Sequence, residues 1–98
     1  MAAFNMDRLL GQNTLVLKTI RLENHNNTTN THKFYEIIVE QNYADQLLPF
    51  RVSTRYGRVG AKNPVTQVYR ESQSEQGCLR MAEELATTKV RTKGYKRV

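Results

Sequence analysis

The sequence predicts an α+β fold: a small antiparallel β-sheet of about four strands with one C-terminal helix packed on it. Three observations predict it. Apolar and polar residues alternate over short β-branched runs in the first seventy or so residues, the period of a half-buried strand. Clusters of Asn, Thr, Gly and Pro, which favour turn conformations, separate those runs. Beyond them the apolar spacing changes to steps of three and four, the period of a helix lying on a core. Ninety-eight residues suit one domain with one core, and the expected organisation is an N-terminal extension (1–13) followed by that domain (14–98).

Residues 1–11 show no clear period and end in Gly11; fraying or one helical turn across residues 7–10 is the expectation. Residues 14–23 read as a strand with Val16, Ile20 and Leu22 on one face and Lys18 breaking the pattern. Residues 24–32 are dense in Asn, Thr and His, so they read as a long connection. Residues 33–41 alternate, with Tyr35, Ile37 and Val39 sharing a face, as expected of a central strand. After a turn at Ala44 and Asp45 and a connection through Pro49, residues 50–56 alternate again, setting Arg51, Ser53 and Arg55 opposite Phe50 and Val52. Gly57 and Gly60 bracket Arg58 and Val59, and glycine inside a strand pattern points to a bulge that interrupts it.

Ala61-Lys62-Asn63-Pro64 is a turn signal, and residues 65–70 return as the fourth strand. Ser72-Gln73-Ser74-Glu75 has the spacing of a capping box and starts the helix. Cys78, Leu79, Ala82, Leu85, Ala86 and Val90 form its apolar stripe, and Gly94 ends it.

No stretch approaches the roughly 20 apolar residues of a membrane span, and the first six lack the basic start and apolar run of a secretory signal. A cytoplasmic location is expected, in keeping with the single cysteine, Cys78. The net charge of +6 is uneven: residues 1–50 carry four Lys or Arg against five Asp or Glu, a net of −1, whereas residues 51–98 carry eleven against four, a net of +7. Such asymmetry suits a polyanionic partner, with a solvated basic surface as the plain alternative.

The run Arg55-Tyr56-Gly57-Arg58-Val59-Gly60, preceded by Lys33-Phe34-Tyr35-Glu36-Ile37 and followed after the helix by Lys93-Gly94-Tyr95, resembles the WGR domain over roughly residues 14–95. That family, found in DNA-dependent poly(ADP-ribose) polymerases and in bacterial proteins, implies an antiparallel sheet with one helix on it. In the polymerases the domain contacts DNA at a break and touches neighbouring domains, so the resemblance implies binding and relay roles. Tyr56 stands where the family name calls for tryptophan. It keeps a flat face, with a smaller area and a hydroxyl.

The candidate nucleic-acid-binding residues are Arg51, Arg55, Tyr56 and Arg58 on the strand, Lys62 in the turn, and Lys89, Arg91 and Lys93 on the helix. Guanidinium and ammonium groups hold phosphates, and an aromatic face accepts a stacked base. Against this, Tyr56 could fill the core edge while Arg58 meets a carboxylate, and the basic residues from Lys89 through Lys96 and Arg97 could serve as a favourable helix C-terminus and solvated tail. His25 and His32, with no paired cysteine or suitably spaced carboxylate, fall short of a metal site. Cys78 lies on the apolar stripe as a small hydrophobe. Catalytic signatures such as a Gly-rich phosphate loop, G-x-S-x-G or H-E-x-x-H are missing from the sequence. A non-enzymatic module without cofactor or small-molecule substrate is therefore expected, with DNA as partner. The competing expectation is a protein-interaction adaptor using the same surface.

Overall fold

The computed structural model describes residues 14–98, so the expected N-terminal extension and its helical turn lie outside the described residues. Strands β1 (Thr14–Asn26), β2 (Thr31–Asn42), β3 (Phe50–Arg58) and β4 (Val65–Ser72), helix α1 (Glu75–Lys93) and strand β5 (Lys96–Arg97) follow in chain order. They form one antiparallel sheet in the order β4-β3-β2-β1-β5. The α+β fold expected from the sequence is present, with one more strand. β5 is two residues long, sets Arg97 and Lys96 against Leu22 and Glu23, and is followed by Val98, whose N–H donates to the Arg21 carbonyl at 3.1 Å. Helix α1 thus carries the chain across one sheet face, from the β4 edge to the β1 edge.

That face holds the core. Ile20 and Leu22 of β1, Ile37 and Val39 of β2 and Val52 of β3 are buried against Cys78, Ala82 and Ala86 of α1. The three helix residues recur every fourth position and are small, which lets the helix backbone settle close to the β-branched strand residues. Leu17, Phe50, Leu79, Met81 and Leu85 close the margins. Val90, expected in the stripe, is 39% exposed because the helix end runs out past the core.

Four local features depart from the sequence reading. The β1–β2 ladder slips between Val16 and Lys18, so Val16 pairs with Glu40 on the uncovered face and is 54% exposed, not in phase with Ile20. The connection expected over residues 24–32 is short, because β1 and β2 stay paired out to Asn26 and Thr31. Its turn is stiffened by the Asn26 Oδ1, which accepts from the Thr28 and Thr29 N–H groups, and by Asn30 at φ 52. Gly57 does not interrupt β3: it pairs with Phe34, and Arg58 pairs with Lys33 in unbroken register. The slip lies instead opposite Val52 and Ser53, where Tyr69 of β4 is skipped. Finally, Ser74 and not Ser72 caps the helix, accepting from the Gly77 N–H at 2.9 Å, while Ser72 Oγ accepts from the Ser74 N–H. Gly94 ends the helix at φ 73, as glycine allows.

Glu83 joins the helix to both ends of the sheet edge, accepting from Lys18 Nζ at 2.6 Å and from Arg97 Nη2 at 2.5 Å. Hydrogen bonds from Lys18 first and Arg97 second hold its carboxyl below the ordinary value of 4.5. Its contribution to stability is therefore present above that value and lost as the pH falls through the lowered one. Glu83→Gln should lower stability to urea near neutral pH, and the gap from the parent should narrow as the pH drops below 4.5. In the same denaturation experiment Leu22→Ala should cost about 2–5 kcal/mol, since it leaves a hole in the fully buried layer, against about 1 kcal/mol for Ser74→Ala.

Candidate functional site

The two faces of the sheet treat charge in opposite ways. On the face away from the helix, Arg51 Nε donates to Glu40 at 2.9 Å, Arg21 Nη1 donates to Glu36 at 2.9 Å, and Arg55 stands 3.6 Å from Glu36. Arg21 and Arg55 also lie over the Phe34 ring, 4.6 and 5.8 Å from its centroid, and so bury a residue that would otherwise meet solvent. The row of arginines expected on one side of β3 is present there, with each arginine matched to a carboxylate.

Beyond the core, at the C-terminal end of α1, the helix-side face carries a different set. Alternation brings Tyr35 opposite Tyr56 and, one same-face step further, Lys33 opposite Arg58. The Tyr35 and Tyr56 rings stack at 5.5 Å with 15° between planes, and Tyr95, just past the helix, leans on Tyr35 at 6.0 Å. Lys89 Nζ sits 4.6 Å from the Tyr35 centroid and Lys33 Nζ 5.5 Å from that of Tyr95. Burial pushes the Tyr35 and Tyr95 hydroxyls above their ordinary value of 10.0, so both remain neutral at physiological pH. The β4 slip at Tyr69 turns that ring toward the same side, with Arg70 4.8 Å from its centroid.

Two adjoining recesses of about 480 and 520 Å³ result. Lys33, Tyr56 and Tyr95 border both; Arg58 and His32 line one, Lys89, Lys93 and Tyr69 the other. Among the described residues no carboxylate lines either recess, and Lys33, Arg58, Lys89 and Lys93 have no acidic partner there. Placing two cations directly opposite on a ladder costs stability, and among the described residues no carboxylate offsets it here. Unneutralised cations around flat neutral rings can hold an anion that itself carries flat faces.

The residues singled out from the sequence therefore separate. Tyr56, Arg58, Lys89 and Lys93 meet around the recesses. Arg51 and Arg55 lie on the opposite face, Lys62 is exposed in the turn after β3, and Arg91 looks out beside Val90, Lys96 and Arg97 on another side of the helix. Lys33, Tyr35, Tyr69 and Tyr95 belong to the recesses and were not singled out. In the structure Lys33 shares the face of Tyr35, and only the helix position shows that this face lies open at its end. Among the described residues no three His, Cys, Asp or Glu side chains are grouped to hold a metal ion. No helix among them is long and apolar enough to cross a membrane.

Compared with known families, residues 18–98 match the family model described as WGR domain. Comparison with curated proteins and with solved structures gives no match. Gly57, central to the motif, has room for an added Cβ without a clash: it would make ordinary van der Waals contact with Pro64 Cα at 3.6 Å, Pro64 Cβ and Ala61 Cβ. Gly57→Ala should therefore fold, with thermal or urea stability unchanged or raised by up to about 1 kcal/mol.

Proposed function

The chain belongs to the WGR domain family, and on that premise we propose that it is a non-catalytic module that binds nucleic acid, DNA foremost, through the tyrosine-lined recesses at the end of α1. The observation that carries this reading is the segregation of charge. Arginines on the far face are matched by Glu36 and Glu40, whereas Lys33, Arg58, Lys89 and Lys93 surround Tyr35, Tyr56 and Tyr95 with no carboxylate among the described residues. Phosphates satisfy the four cations, and Tyr56, bordering both recesses, offers a surface for a sugar or base. Contacts of this kind carry little sequence information, so recognition is sequence-independent and rests on backbone charge and on an accessible nucleotide, as at a duplex end or break.

Neutralising about four phosphates gives a log–log salt slope near −3.6 on duplex DNA, and a stacked residue contributes about 1–3 kcal/mol. Fluorescence anisotropy with a labelled open duplex and a closed dumbbell of equal length, at two salt concentrations, tests the reading. Tighter binding to the open duplex is expected. Equal, salt-sensitive binding leaves a general backbone binder, and no binding to either transfers the surface to a protein partner. Tyr56→Ala should weaken the open-duplex complex about 5- to 150-fold while the circular dichroism of the fold is retained. Arg55→Ala should change binding less than about twofold; the reverse ranking would move the interface to the other face.

A further inference from the structure

The tip of the β1–β2 hairpin carries a second arrangement, which the recesses do not use for their cation set. His25 and His32 are direct cross-strand partners, and their Nδ1 atoms stand 2.9 Å apart. His25 Nε2 contacts the Glu23 carboxylate at 2.7 Å, and Glu23 in turn accepts from Arg21 Nε at 2.7 Å. We propose that His25 and His32 form a two-imidazole chelate for a borderline transition-metal dication of tetragonal preference, Cu²⁺ or Ni²⁺.

The geometry supplies three parts of such a site. A carboxylate fixes the tautomer: with Glu23 accepting from the Nε2–H of His25, the Nδ1 atom keeps its lone pair and turns it toward His32 Nδ1, the arrangement that commonly orients metal-bound histidine. The bite is right: metal–imidazole bonds of about 2.0–2.1 Å set two nitrogens about 2.9 Å apart at a right angle but about 3.3 Å apart at the tetrahedral angle. The observed 2.9 Å fits cis positions of a square-planar or octahedral ion, with water filling the remaining positions. The frame is stiff as well, since both ligands sit on paired strands closed by the Asn26-anchored turn. On chelation His32 transfers its Nδ1 proton to Nε2 through solvent, so both rings remain neutral and the ion takes the place of the proton between them.

Titration of the whole protein with Cu²⁺, followed by electron paramagnetic resonance against a glycine competitor, tests the proposal. One equivalent should give an axial spectrum with coupling to two nitrogens. His25→Gln and His32→Gln should each lose at least about tenfold in affinity and fall to the level of the double variant, since one imidazole is no chelate. Both positions lie outside the core, so the variants keep the fold. Single variants that bind like the parent, or a parent that binds no more tightly than the double variant, would overturn the proposal.

Discussion

The approach of α1 to the sheet through Cys78, Ala82 and Ala86 is the constraint from which the rest follows. Larger residues at those positions would lift the helix from Leu22, Ile37, Val39 and Val52. Because it lies low and crosses from one edge of the sheet to the other, its last two turns arrive over the end of the β2–β3 ladder. Lys89 and Lys93 are thereby set above Tyr35 and Tyr56, and the chain emerges at Gly94 with Tyr95 already in contact. The recesses are the space left where the helix runs out over the end of the β2–β3 ladder.

The uncovered face solves a different problem. A single helix covers one side only, so Phe34 and its neighbours on the other side need shielding from water. Arg21 and Arg55 provide it by standing over the ring, and Glu36 pairs with both. On this face arginine acts as covering material, and the same residue type has a separate role a few residues on at Arg58. Charge counted along the sequence does not distinguish the two; the strand phase and the carboxylate opposite do.

Much of the architecture was legible because periodicity survives in single sequences. The alternation through Tyr35, Ile37 and Val39 and through Phe50 and Val52 defined two strands, and Gly94 marked the helix end. The ladder slip at Leu17 showed in the sequence only as Lys18 breaking the pattern, that at Tyr69 left no compositional trace, and each reassigns the faces of nearby residues, as Val16 shows. The polar run around Asn26 read as loop because Asn and Thr favour turns, yet cross-strand pairing carried both strands through His25 and His32. Ser72 had the spacing of a capping box, but Ser74 is the serine whose oxygen accepts from an N–H of the helix itself, at Gly77. For the candidate site, the phase of β2 named Tyr35 with the core residues Ile37 and Val39 but could not say which face the helix would leave open, and Tyr95 lay beyond any periodic element.

The pairing of β5 with β1 gives the helix a tether at each end: the β4 ladder leads into it and the β1 edge receives the chain after it. A helix held in this way cannot fray from its last turn without first opening a strand of the sheet, so its amides should exchange with solvent as one unit with the sheet. The ammonium groups on that last turn therefore ride on backbone that is already ordered before a ligand arrives. Less conformational freedom remains to be lost on association, and a small, shallow surface can hold its ligand with fewer contacts than a mobile tail of the same charge would require.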